Sequence, residues 1–409
     1  MHYDTIIIGG GASGLFASII LGEAKKSVLV LEHNKIVGKK LLITGKGRCN
    51  LTNNCTYEEV LKNIPTNSKF MFSSLNRFSP ADTIDFFEAS GVRLKTERGN
   101  RVFPESDKAA EIVSALEKRA KKAGVRFIFE KAVELIIEDG IVSGVKTEKS
   151  QFSGNSVIVA TGGKSYSGTG SAGDGYAFAK QAGHNITKLV PSLVPVVSED
   201  SFCAEMMGLA LKNVTLSLID KLTGKALFSE LGEMLFTHFG VSGPLVLSAS
   251  SHIRGMQSDR YTFSIDLKPG LSFEQLDLRI LRDFSELQNR NFENSLSKLL
   301  PSKMIPVIVR LSGINPDTKV NQITKQQRLK LAELIKAFII NIKAFRPIEE
   351  AIITCGGVDV REISPKTMQS KLVKGLYFTG EILDVDAYTG GFNLQIAFST
   401  AYAAASDII

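Results

Sequence analysis

Gly9, Gly11 and Gly14 fall in the run Gly9-Gly10-Gly11-Ala12-Ser13-Gly14. This spacing suits the pyrophosphate of a dinucleotide. Gly9 makes the tight turn, Gly11 lets the backbone approach the phosphates, and Gly14 lets a helix pack close to a sheet. Ala12 and Ser13 stand at that helix's start, where unpaired N–H groups and a partial positive charge face an anion. Glu32 lies 18 residues after Gly14. Its carboxylate can accept hydrogen bonds from both hydroxyls of an adenosine ribose, and it would repel a 2′-phosphate, which disfavours NADP here. The competing reading is a glycine-rich turn that holds nothing. The run alone does not choose between NAD and FAD.

The elements that must position these residues are all present. Tyr3 to Ile8 is a short β-branched run that predicts a strand buried on both faces. Ala12 to Ala24 predicts a helix with Leu15, Phe16, Ile19 and Ile20 on one face. Ser27 to Leu31 predicts a second buried strand, and Glu32 follows it directly.

Further blocks add to this unit. Lys39 and Lys40 precede Gly45-Lys46-Gly47-Arg48-Cys49-Asn50-Leu51-Thr52-Asn53, a basic, glycine-rich segment. Such a loop suits phosphates or a flavin edge, with Arg48 offering a planar fork of donors; a surface loop with incidental charge is the alternative. Val125 to Lys149 predicts a β-meander of Phe127–Phe129, Val133–Ile137 and Val142–Val145, with turns at Asp139-Gly140 and Ser143-Gly144. It leads to the strand Ser156–Ala160, which ends in Thr161-Gly162-Gly163. Gly168 to Gly175 is glycine-rich, and Asp174 there is placed to cap a helix over Tyr176–Ala182; a capped helix without a ligand fits equally. Near the C-terminus, Gly375 to Glu381 predicts a strand and a turn at Gly380. Asp384 and Asp386 follow, either suited to ribityl hydroxyls. Gly390 and Gly391 then open a helix through Phe392, Asn393 and Leu394 to about Ala405. That helix start can donate N–H groups to the O2/N1 side of an isoalloxazine, which favours FAD as cofactor.

These motifs resemble one family. The Gly45–Asn53 block, Ala160-Thr161-Gly162-Gly163, Thr169–Gly175, Met234–Pro244, Thr354–Val358 and Thr379–Gln395 are similar to the bacterial NAD(P)/FAD-dependent oxidoreductases that include aminoacetone oxidases and 3-dehydro-bile-acid reductase-type flavoproteins. The resemblance covers almost the whole chain, with residues 270–340 matched only in general character. It implies an α/β fold: a discontinuous Rossmann-like FAD-binding domain over 1–190 and 345–409, an inserted mostly-β domain over 191–270 and about 320–344, and a small helical domain over 271–320. It carries FAD contacts onto Ala12, Ser13, Glu32, Arg48, Asn50, Thr161, Gly162, Asp384, Phe392, Asn393 and Leu394, with Val133 against adenine. Lys40, Gly47, Asp174, Gly380 and Gly391, with the three motif glycines, complete the expected cofactor set. Sequence pattern agrees with the insert. Val214–Ile219 and Tyr261–Ile265 alternate as strands do, Phe273–Leu300 has helical spacing at Leu276, Leu278, Leu281, Phe284 and Leu287, and Arg328–Ile340 reads as another helix.

The activity expected is that of an FAD-dependent oxidoreductase on a small organic substrate. The other readings are a flavoprotein acting on or binding RNA and a flavin binder without turnover. No catalytic residue stands out. His238 is a candidate acid or base, though a lone histidine in such a turn also reads as structural; Arg98, Arg101 and Tyr388 are others. Cys49 and Cys55 have five residues between them, where redox pairs of disulfide reductases have four, and dithiol chemistry is not expected. Cys203 and Cys355 read as packing residues, and no His/Cys cluster has zinc spacing. A second complete glycine motif is missing, so NAD(P)H would bind transiently, or the substrate would reduce the flavin and oxygen reoxidise it.

The net charge of +7 suits an anionic ligand. The basic residues are scattered, however, and Lys118–Lys122 reads as a solvated helix face, so nucleic acid is not an expected partner. At 409 residues the chain is long enough for two or three domains, and 44% hydrophobic content excludes wholesale disorder. No stretch has the ~18 apolar residues needed to span a membrane. Met1-His2-Tyr3-Asp4 does not open a secretory signal, and with four cysteines a cytoplasmic location is expected.

Overall fold

A computed structural model describes residues 2–253 and 255–409. It divides into two compact units, one of Met1–Ser192 with Pro347–Ile409 and one of Leu193–Arg346.

The first unit is built on a seven-stranded sheet. Its opening strand, His2–Ile8, pairs in parallel with Val28–Leu31 on one side and Gln151–Val159 on the other. Ile6 and Ile7 are fully buried, as the β-branched run requires of a strand covered on both faces. The strand Gln151–Val159 divides its partners: its first residues pair antiparallel with Ile141–Thr147, and its last pair in parallel with Leu376–Phe378. The helix Ala12–Glu23 packs against the C-terminal helix, Phe392–Ile408.

Two details of the predicted meander change. Residues 126–128 form a parallel edge strand on Val28–Leu31 instead of its first antiparallel strand. The helix Ala109–Lys122 crosses over the sheet just before them, and such a crossover delivers a parallel strand. Ser143-Gly144 is not a turn but lies inside the strand Ile141–Thr147. Gly144 is there because a Cβ would stand 2.2 Å from Phe152 O. Asp139-Gly140 is the two-residue hairpin loop expected, with φ of +51° and +76°.

The second unit holds a closed six-stranded antiparallel barrel of Val196–Ser198, Gly240–Ser242, Lys225–Thr237, Ala210–Asp220, Tyr261–Asp266 and Phe338–Phe345. The helices Phe273–Glu286 and Lys325–Lys336 pack together, each opened by a capping box, at Ser272/Gln275 and Thr324/Gln327. The helix expected over Arg328–Ile340 therefore stops short. From Phe338 the apolar period changes from helical to alternating: Phe338, Ile340 and Ile342 are buried and Ile339 is exposed, and the residues join the barrel.

A buried histidine gives the first unit a pH dependence. His184 Nε2 lies 2.8 Å from Ser370 Oγ, and Nδ1 lies 3.1 Å from Glu362 Oε2. Ser370 Oγ already accepts from the N–H groups of Leu372 and Val373, so its proton goes to Nε2 and the neutral ring donates from Nδ1. A hydroxyl so fully engaged is structural despite the serine–histidine–carboxylate order. Burial holds His184 below its ordinary pKa, against the pull of Glu362. A histidine depressed in the folded state contributes stability above its unfolded pKa of ~6.5, lost as pH falls through the folded value. Glu362 is itself held low: burial raises it, but the Asn185 N–H groups and His184 outweigh that, so its contribution is lost further into acid. The urea midpoint should fall between pH 7 and pH 5, and His184→Gln should flatten that slope; an unchanged slope would contradict the assignment.

Candidate functional site

The glycine turn is constrained at two of its three motif glycines. Gly9 has φ +107°, and a Cβ there would stand 2.5 Å from Ala160 O. At Gly14 a Cβ would stand 1.9 Å from Gly9 O, so the helix rests directly on the turn. Gly11 is different: no protein atom lies within 4 Å of its Cβ position. It is the N-cap of the helix, and no side chain caps the free N–H groups of Ala12 and Ser13. A cradle closed by backbone at Gly9 and Gly14 and open at Gly11 fits a dinucleotide phosphate.

Glu32 is buried at the end of its strand. Its Oε2 accepts from Gly10 N (2.9 Å), and its Oε1 accepts from Asn34 N (2.8 Å) and Asn34 Nδ2 (2.9 Å). A carboxylate has about four acceptor positions. Three are engaged by the protein, which leaves room for one ribose hydroxyl rather than the two expected.

The C-terminal segment closes against this turn. Ser13 Oγ donates to Thr379 Oγ1 at 2.5 Å, and a Cβ on Gly380 (φ +77°) would stand 3.2 Å from Ser13 Cβ. Thr161 backs onto Gly9, its Cα 3.2 Å from a Cβ there, and Gly162 follows at φ +73°. Gly391 has φ +98°, and a Cβ would strike Thr52 O at 2.3 Å. With its amide turned to satisfy its neighbours, Asn50 accepts from Gly391 N (3.0 Å) and donates to Thr52 O (3.1 Å). The structure thus brings Gly9, Gly11, Gly14, Ala12, Ser13, Thr161 and Gly380 together, and joins Asn50 to Gly391 at the start of the C-terminal helix.

Other expected residues have different partners. Arg48 donates to Asp107 (2.7 Å) and to Glu97, with its guanidinium 4.2 Å above the Phe103 ring. Its fork is therefore engaged by two carboxylates. Gly47, with φ +84°, ends the turn that precedes it. Lys40 Nζ binds Glu381 Oε2 (2.6 Å) and Ser165 Oγ (2.8 Å). Asp174 is not the cap of its helix: Gly173 holds that position, and Asp174, in the first turn, faces Lys131 at 3.6 Å. Asn393 uses its amide on the Ala387 backbone, at 2.9 and 2.8 Å. Asp386 is fully buried, its oxygens accepting from Thr66 Oγ1 (2.5 Å) and Ser192 Oγ (2.8 Å), while Asp384 is partly exposed. Val133 is 45% exposed on the strand Ala132–Glu138, while Phe392 is buried and Leu394 partly so.

His238 is exposed at the tip of the hairpin between Lys225–Thr237 and Gly240–Ser242, in the second unit. Arg101 Nε donates to Arg98 O (3.0 Å), and Tyr388 N donates to Asn63 O (3.0 Å). Sequence reasoning missed Gln395 and Glu381. Gln395 is fully buried, takes the hydroxyls of Thr52 (2.6 Å) and Thr83 (2.8 Å), and donates to Phe78 O (3.1 Å). Glu381 also accepts from Ser165 Oγ (2.8 Å) and Thr354 N (3.0 Å). Polar types inside an apolar C-terminal stretch were the available signal.

Burial pushes the Cys49 thiol up to about 11, and burial with the Glu59 charge does the same for Cys55. A redox cysteine needs a lowered pKa. Cys49→Ser should accordingly leave the rate of flavin reduction unchanged in a stopped-flow trace; loss of reduction with flavin still bound would restore a dithiol role. Among the described residues no group of His, Cys, Asp and Glu is arranged to hold a metal, and no helix is long and apolar enough to cross a membrane.

A mixed sheet with a parallel core, a glycine turn on a helix start, an acid after the second strand and a returning C-terminal helix make up a Rossmann-like dinucleotide-binding fold, and the relatives of the chain place it among flavoprotein oxidoreductases. The chain belongs to the HI0933-like protein Rossmann domain family, matched over residues 3–407. It is 31% identical over 407 residues to the 3-dehydro-bile acid delta(4,6)-reductase of Clostridium scindens, covering 97% of each chain. It is 32% identical to the ribosomal RNA dihydrouridine synthase of Escherichia coli and 34% identical to that of Haemophilus influenzae, covering 100% of this chain and 98% of each relative. Among solved structures, the 3-ketosteroid delta1-dehydrogenase of Sterolibacterium denitrificans shares the fold at 13% identity, with a TM-score of 0.52 over 100% of this chain and 99% of that one.

Proposed function

We propose that this chain, with FAD as its flavin, reduces a carbon–carbon double bond conjugated to a carbonyl in a small organic molecule. The observation that carries this reading is the chemistry shared by its full-length relatives. One is named for reducing the 4,6 double bonds of a 3-oxo ring, the others for forming dihydrouridine, in which the double bond next to a uracil carbonyl has gained two hydrogens. When bound and reduced, FAD would supply the hydride, with solvent giving the proton that completes the addition. The residues to hold the cofactor are the glycine turn with Ala12 and Ser13 at the pyrophosphate, Glu32 at the ribose, Val133 beside adenine, and Asp384 at the ribityl chain. At the flavin end, the helix Phe392–Ile408 starts at Gly391 with no side-chain cap. Its first-turn N–H groups can stabilise negative charge on the ring system. NAD(P)H is the donor proposed, binding transiently.

The relatives named for ribosomal RNA support a second reading, in which the conjugated bond belongs to a uracil in RNA, and the net charge of +7 agrees with it. One experiment addresses both. The protein is reduced anaerobically and mixed either with a 3-oxo-4,6-diene steroid acid or with unmodified ribosomal RNA, and the return of oxidised-flavin absorbance is followed. Fast reoxidation by the steroid supports the first reading. Reoxidation by RNA alone, weakening steeply with salt, supports the second. Failure of both acceptors would overturn the reaction class.

A further inference from the structure

We infer that the Tyr176 phenol is a hydrogen-bond donor to the ribityl hydroxyls of the bound flavin, an inference that rests on the FAD reading above. Among the described residues of the first unit, two buried side-chain oxygens have no hydrogen-bond partner: Thr161 Oγ1 and Tyr176 OH. Tyr176 is only 6% exposed. A buried hydroxyl gives up its hydration on folding and recovers nothing until it meets an acceptor, so such groups are rare unless a ligand or water completes them.

The fold brings Thr161 Oγ1 against Gly175, the residue before Tyr176, and sets the Tyr176 ring beside Gly173. A Cβ on Gly175 would stand 2.0 Å from Thr161 Oγ1 and 2.5 Å from Ile382 Cδ1. The exit of the strand Gln151–Val159, the start of the helix Asp174–Gln181 and the turn Gly380–Ile382 therefore converge there. Thr161 backs onto Gly9 and Gly380 onto Ser13, so this point adjoins the cradle. The Glu381 and Asp384 carboxylates bear on the phenol electrostatically. Glu381 is balanced by Lys40 at 2.6 Å. A phosphate there would meet two carboxylates, of which Lys40 offsets one, and would be repelled. A polyol hydroxyl accepts from the phenol and donates to a carboxylate, which selects the ribityl chain over the pyrophosphate.

Tyr176→Phe removes the one oxygen and keeps the ring. The test compares this variant with the unsubstituted chain, both stripped of flavin, in three measurements: FAD binding by fluorescence titration, ADP binding by calorimetry, and the denaturation midpoint. FAD affinity should fall about tenfold, as the loss of one buried hydrogen bond implies. ADP affinity should not change, and the midpoint should hold or rise. Unchanged FAD affinity, parallel loss of FAD and ADP, or a lowered midpoint would each overturn the inference. If the unsubstituted chain takes up no FAD, the cofactor reading itself falls, whereas equal tight binding by both proteins removes only the role of Tyr176.

Discussion

Flavin should leave the protein readily in Glu32→Ala. The variant loses one charge-assisted hydrogen bond to the ribose, worth ~1.5–3 kcal/mol, or about ten- to a hundredfold in affinity. It loses more than that, because the same carboxylate holds Gly10 N and both N–H donors of Asn34. Those donors shape the glycine turn and the loop after the second strand, so the phosphate cradle loosens along with the ribose contact. Glu32→Gln separates the two effects. It keeps one oxygen acceptor and the side-chain volume, and its FAD affinity should fall between those of the parent and the alanine variant. Titration of the flavin-free proteins with FAD measures both; retention of FAD in Glu32→Ala at parental affinity would remove this residue from the site.

The second large effect divides two glycines that sequence alone treats alike. Gly14→Ala should destabilise the flavin-free protein by about 3 kcal/mol or more, because its methyl group would meet a backbone carbonyl at 1.9 Å that no rotamer change can clear. Gly11→Ala meets no protein atom within 4 Å and should lower stability by no more than about 1 kcal/mol. Its methyl would instead occupy the open side of the cradle and weaken FAD binding by more than tenfold. Urea denaturation read beside FAD titration gives opposite patterns for the two variants. A Gly11→Ala protein that binds FAD normally would show that the phosphates do not pass there.

What the sequence made legible was local. The strand, glycine turn, helix, strand and Glu32 lie within about thirty residues, and each has a steric reason tied to residue type. The barrel was legible only as alternating apolar stretches, since nothing in a strand's own pattern names its partner. The boundary at Ala337 was misread because Phe338, Ile339 and Ile340 suit either period when taken as a short apolar run. The least legible contacts join distant residues: Asn50 to Gly391, Thr52 to Gln395, Lys40 to Glu381. Charge and spacing suggested that Arg48 and Lys40 reach toward an anion, and no local rule could show that Glu97, Asp107 and Glu381 would meet them first.

The strand Leu376–Phe378 lies beside Gln151–Val159, and the helix that follows packs on the helix of the opening glycine turn. During synthesis, the first unit must therefore wait. Its amino-terminal portion leaves the ribosome with an unpaired sheet edge and an uncovered helix face, and the inserted unit is made in full before the covering segment arrives. A chain truncated before Leu376 would keep the glycine motif intact and leave that edge and helix face exposed to proteolysis.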